Sequence, residues 1–257
     1  MSDVGASAKL DIGRVIQELF AVLGRNFATF AILAVLLGGV PTAIVYGLQG
    51  NVTAASAGAA FGPQMVWGFV GALVAGAFGL ILQGTIIYAT VGDLNNRKLS
   101  VAESLSAGLR VFLPILVIGL LATLAAMLGA ILLIVPGMMI AIAWCVAVPS
   151  YVVERTTIMG SFGRSAELTR GNRWRIFGMF CLLIVAILLI EMVVMIFGGL
   201  TNFVTVSGFP LVTRIFVMPL VNVASGLLGA VGAAVLYVEL RRIKDGVGAE
   251  SLAAIFD

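Results

Sequence analysis

Long apolar runs separated by short polar stretches dominate this chain. Six of them have spanning length: about Phe27–Leu48, Met65–Val91, Phe112–Val135, Met138–Val153, Ile176–Leu200 and Leu211–Leu240. At 1.5 Å of rise per residue, runs of this order cross the ~30 Å hydrocarbon layer of a bilayer as helices. A Pro136-Gly137 pair is expected to turn the third run into the fourth. Between the runs the pattern changes to amphipathic stripes. Ile12, Val15, Ile16, Leu19, Phe20 and Leu23 recur at helical spacing. Val101, Leu105, Leu109 and Phe112 do so before the third run, and Ile158, Phe162 and Leu168 before the fifth. The stripes predict surface helices over about Lys9–Gly24, Ser100–Arg110 and Thr157–Arg170. Such helices lie in the membrane interface with the apolar side down, or pack against the bundle.

Each surface segment ends in a glycine near an arginine: Gly24-Arg25, Gly108-Leu109-Arg110 and Gly171-Asn172-Arg173. Glycine can close a helix in the left-handed conformation. The expected fold is all-α: a polytopic membrane protein of six transmembrane helices, with interfacial amphipathic helices on the cytoplasmic side. A three-fold repeat of helix plus hairpin is a corollary. The whole chain, residues 1–257, is read as one membrane domain.

Composition strengthens this reading. The chain is 61% hydrophobic and 11% charged, with a mean hydropathy of +1.16. A soluble domain carries roughly 25% charged residues. All but one of the 15 Lys and Arg residues fall in the N-terminal segment, in the linkers after the second and fourth runs, or in the tail. Arg214 is the exception. The positive-inside bias then puts both termini in the cytoplasm. The N-terminus lacks the apolar core and cleavage site of a secretory signal, so no removal is expected.

Candidate chemistry is sparse. The chain has no His, which excludes imidazole metal ligands and Ser-His-Asp catalysis. Cys145 and Cys181 sit in apolar runs, as small hydrophobes do. No cofactor, metal or nucleic-acid partner is expected, nor an enzyme. Small residues recur four apart at Gly71, Ala75 and Gly79, at Ala122, Ala126 and Ala130, and at Ser225, Gly229 and Ala233. These faces allow close helix approach, within one chain or between two. Pro41, Pro149 and Pro219 interrupt runs, as kinks that aid packing or as breaks beside a binding site. Gln83 and Asn222 are candidates for hydrogen bonds across helices.

Glu191 lies inside the fifth run. A central carboxylate costs roughly 3 kcal/mol on insertion scales. It is either a proton- or substrate-coupling group or one half of a structural pair with Arg214. On the basic side, Arg170, Gly171, Arg173, Trp174 and Arg175 form a turn that could hold a lipid phosphate, or simply anchor the chain at the headgroups.

Three stretches carry a family resemblance: Trp144 to Arg155, Arg164 to Trp174, and Tyr237 to Gly246. They resemble the glycerophosphoryl diester phosphodiesterase membrane-domain family and its bacterial inner-membrane relatives. In that family some members join the membrane region to a catalytic domain. This chain has neither room for one nor the His and acidic cluster that hydrolysis needs. The resemblance therefore implies a stand-alone membrane module. The expected function is a non-enzymatic scaffold or accessory subunit that contacts membrane lipids and another membrane protein. The alternative is a small transporter for a lipid-like or amphipathic solute.

Overall fold

The computed structural model describes residues 10–45, 63–97, 99–204 and 218–246. Within them every regular element is helical. The order is α1 Ile12–Arg25, α2 Phe27–Val45, α3 Pro63–Leu94, α4 Val101–Leu132, α5 Ile134–Ala143, α6 Ala147–Glu154, α7 Ile158–Thr169, α8 Arg173–Val204 and α9 Met218–Asp245. Five segments are long and apolar enough to cross a bilayer: α2, α3, α4, the α5–α6 pair and α9. The α7–α8 pair, bent by 97°, makes a sixth when counted together.

α1 starts where the Asp11 side chain accepts the Arg14 backbone N–H at 3.3 Å. Its stripe divides between two surroundings. Val15, Leu19 and Val22 are buried, with Leu19 against Gly232 of α9, while Phe20 stays 62% exposed. Gly24 remains helical, and Asn26 caps α1 with its N–H on the Val22 carbonyl. The expected left-handed glycine is therefore absent there. α2 widens into a π-turn over Val35–Gly39. Pro41 follows directly; its ring would collide with the Leu37 carbonyl in a regular helix, and the wider turn makes room.

The segment 100–110, expected as a separate surface helix, is instead the opening of the 32-residue α4. Ser100 and Glu103 form a reciprocal capping box at its start. Gly108 ends nothing. It lies where α3 and α4 cross: a Cβ there would come within 2.0 Å of Thr85 Oγ1 and 2.8 Å of the Ile81 carbonyl. The turn between the third and fourth runs also differs from expectation. Leu133 is the extended residue, and Pro136 and Gly137 already belong to α5. Gly137 lets α5 close on α4, since a Cβ would sit 2.6 Å from the Ala130 nitrogen and 2.8 Å from the Ala126 carbonyl. That part of the alanine stripe thus serves packing within the chain.

The expected fourth span is two helices. α5 stops at Ala143, and α6 restarts at Ala147 with Pro149 in its first turn. In lipid an unpaired backbone group costs several kcal/mol, and α7 supplies the missing partners. Ser165 Oγ donates to the Ala143 carbonyl at 2.8 Å and accepts the Val146 N–H at 3.3 Å. Thr169 Oγ1 lies 3.4 Å from the same carbonyl.

Packing concentrates at one end of the bundle. Its core holds Val15, Leu19, Ile86, Val91, Ile115, Val146, Leu168, Ile176, Leu236 and Leu240. The basic segments meet at this end. Arg25 of α1 pairs with Asp93 of α3 at 2.8 Å, and Arg14 with Glu239 of α9 at 3.4 Å. Away from it, side chains such as Leu73, Leu124, Leu128, Ile131, Leu188 and Met192 are exposed, as lipid-facing surfaces are.

Replacing Gly108 with Ala should cost about 1–3 kcal/mol by overpacking the α3–α4 crossing. Gly119, on the same helix with nothing within 4 Å, serves as control. Thermal unfolding in detergent should show a lower midpoint for Gly108→Ala and none for Gly119→Ala; equal midpoints would refute the crossing.

Candidate functional site

Two arrangements at the basic end draw on the residues singled out in the sequence. The first is the turn between α7 and α8. Thr157 caps α7 by accepting the Gly160 N–H at 3.0 Å. Arg170 ends the helix in an extended conformation, and Gly171 follows at φ +92°. That backbone angle suits glycine and lets the chain turn sharply into α8. Asn172 accepts the N–H groups of Arg175 and Ile176, opening α8.

This turn clamps the N-terminal segment. Asn172 Oδ1 accepts the Leu10 N–H at 3.1 Å, and Arg175 Nη1 donates to the Leu10 carbonyl at 2.6 Å. Leu10 is fully buried. Arg175 is thus engaged with backbone.

The other residues of the turn do come together. Arg170, Gly171, Arg173 and Trp174 line a groove of about 280 Å³ with Val135, Met138, Met139 and Ile142 of α5 and Phe177 of α8. Trp174 is 79% exposed and meets Phe177 edge-on, with centroids 6.1 Å apart. The Nε–H of Arg173 is buried and has no hydrogen-bond partner among the described residues. One part of the groove is cationic, and the other is aliphatic.

The second arrangement was not anticipated. Arg164 of α7 donates from Nε to both Glu154 oxygens at 3.1 and 3.2 Å, and from Nη1 to Glu167 at 3.2 Å. Its Nη2 donates to Asp245 at the end of α9. Tyr237 donates its hydroxyl to Glu154 at 2.8 Å and accepts from Arg241 at 3.3 Å. Arg241 Nε also lies 3.4 Å from Asp245, an ion pair without hydrogen-bond alignment. Burial acts to lower the Arg164 pKa, but the bonds to Asp245 and Glu154 outweigh it, and the pKa is raised. The guanidinium is permanently charged.

Tyr237, Arg241 and Asp245 recur at four-residue spacing, so they share one face of α9. Together with Glu154 and Arg164 they draw on all three sequence stretches, 144–155, 164–174 and 237–246. Trp144 completes the junction by packing on Phe162 at a centroid distance of 4.6 Å. The sequence signal was available: in a chain so poor in charge, Glu154 and Asp245 stand at the ends of apolar helices beside arginines.

The expected Glu191–Arg214 pair falls outside what the structure describes. Arg214 lies outside the described residues; Glu191 falls within α8, but its side chain is not described. No group of three His, Cys, Asp or Glu residues suited to a metal ion occurs among the described residues.

No protein-family model, no curated protein and no solved structure matches this chain. Function must be argued from its own geometry.

Exchanging Arg164 for Met should destabilise the fold by about 2 kcal/mol, because the largely buried Glu154 loses its main countercharge and Asp245 keeps only Arg241. Adding Asp245→Asn should recover part of the loss. Denaturation of the single and double variants checks this; strictly additive losses would show that the network is not coupled.

Proposed function

We propose that this chain is a non-enzymatic integral protein of the bacterial inner membrane. It holds membrane lipid at its basic end and acts as a scaffold or accessory subunit for another membrane protein. The observation that carries the reading is the groove between α5 and the α7–α8 turn. Its aliphatic wall suits an acyl chain. The guanidiniums of Arg170 and Arg173 suit a phosphate, and the unpaired Nε–H of Arg173 needs an acceptor. Trp174 beside them is the side chain favoured at the headgroup level.

Orientation follows from charge. The basic segments gather at one end of the bundle, and positive residues stay on the cytoplasmic side. Both termini are then cytoplasmic, and α1 and α7 are the interfacial helices. In two of the three repeat units, a short helix precedes a spanning helix across a break, at α1–α2 and α7–α8. The unit around α4 departs from this, being continuous. The proposed resemblance to the phosphodiesterase membrane-domain family concerns the membrane region alone. The three stretches that carry it meet around Arg164.

A transporter for a lipid-like solute is the second reading, favoured by one observation. A cavity of about 490 Å³ lies between α2, α3 and α9, lined by Thr42, Gln83 and Asn222 among small residues. The π-turn of α2 contributes Gly38 to it, and such turns occur often at functional sites.

Two measurements separate these readings. Native mass spectrometry of the Arg170→Gln/Arg173→Gln variant should show retention of anionic lipid reduced about tenfold or more. Undiminished lipid would remove the groove from the account. A transporter with Glu191 as coupling group should lose uptake in proteoliposomes on Glu191→Gln while folding normally. The scaffold reading expects no solute uptake in either protein.

A further inference from the structure

A separate cavity of about 400 Å³ opens at the basic end between α3, α4 and α6. Its polar lining is Tyr88, Glu103, Ser106, Arg110, Tyr151 and Arg155. Glu103, Ser106 and Arg110 share one face of α4, as their i, i+3, i+7 spacing requires. Neither Arg110 nor Arg155 forms a side-chain ion pair among the described residues. They differ in this from Arg14, Arg25, Arg164 and Arg241 of the same end, each of which faces a carboxylate.

Arg155 is held in an uncommon way. It follows α6 in the left-handed conformation at φ 50°, with its N–H on the Tyr151 carbonyl. Glycine usually takes such a position, and a bulky side chain there carries strain. Strain retained beside a cavity points to a use for the side chain. Glu103 adds the opposite charge. Its Oε2 accepts both the Ser100 N–H and hydroxyl at 2.8 Å, so the capping box occupies one oxygen. Oε1 takes no part in the box, although the carboxylate also feels the charge of Arg97. The cavity thus offers two guanidiniums for an anion and one carboxylate oxygen for a cation, with two tyrosine rings that favour a cation over their faces.

We propose that this cavity binds a phosphate ester carrying an ammonium group, of the phosphoethanolamine type. Arg110 and Arg155 hold the phosphate, and Glu103 Oε1 holds the ammonium. The site does not depend on the lipid groove at the α7–α8 turn, which uses other helices and other arginines. Two sources share this chemistry: a soluble phosphoethanolamine and the headgroup of phosphatidylethanolamine.

The test uses the full chain in detergent. Calorimetric titration with O-phosphoethanolamine and with inorganic phosphate probes the soluble source. Native mass spectrometry from phosphatidylethanolamine nanodiscs probes the lipid source. Binding by either route supports the site and names the source; binding by neither overturns it. Arg110→Gln and Arg155→Gly should each weaken binding of whichever form is bound by about tenfold or more. Arg155→Gly should do so with an unchanged or raised melting midpoint, because glycine relieves the left-handed backbone. Glu103→Gln preserves a capping box, since glutamine also serves at that position. It should weaken the amine-bearing ligand without weakening any binding of inorganic phosphate. Wild-type affinity in any of these three variants would overturn the proposal, as would loss of binding in Arg170→Gln/Arg173→Gln.

Discussion

The Arg164 guanidinium reaches Glu154 on α6, Glu167 on its own helix and Asp245 at the end of α9. Lipid gives apolar helices little reason to prefer one another, because its tails are as apolar as leucine. Close packing of small residues and directional contacts must therefore fix which helices are neighbours. At the basic end the latter do so through one cation shared by three carboxylates. Tyr237 and Arg241 extend the contact along α9. Arg164, Glu154 and Arg241 are largely shielded from water and would be costly to separate, whereas Glu167 lies at the exposed edge of the network.

The same end shows how a broken helix is tolerated. The gap between α5 and α6 exposes a carbonyl and an N–H, and α7 answers both with the hydroxyls of Ser165 and Thr169. The short helix α7 thereby becomes part of the α5–α6 segment's own hydrogen bonding. Its position fixes the groove at its C-terminal end, where Gly171 turns the chain and Arg173 is presented beside Met138 and Met139. The cavity at Arg110 and Arg155 has the same origin, since Arg155 ends the restarted helix α6.

Much of the architecture was legible because hydropathy is a one-dimensional signal. Runs of spanning length, the stripe of α1 and the turn at Gly171 all follow from local composition. Continuity was harder to read. The stripe from Val101 to Phe112 keeps helical phase with the apolar run behind it, so nothing local marks whether a bend intervenes. In the expected fourth span, Pro149 marked an interruption, but only the hydroxyls of α7 decide that two helices result. The Arg164 network was missed because its partners are 10 and 81 residues away. Charge sorting by side says which end a residue occupies, not which neighbour it meets. Arg175 was legible as basic and interfacial, yet its partner is a backbone carbonyl 165 residues earlier.

The Leu10 clamp bears on biogenesis. Both groups that grip this peptide unit arise 162 and 165 positions later in the chain. At ordinary translation speeds of ~5–20 residues per second, they emerge roughly 8 to 30 s after it. For that interval Leu10 lacks both of these partners. Docking of Leu10 can come only after the start of α8 has been made.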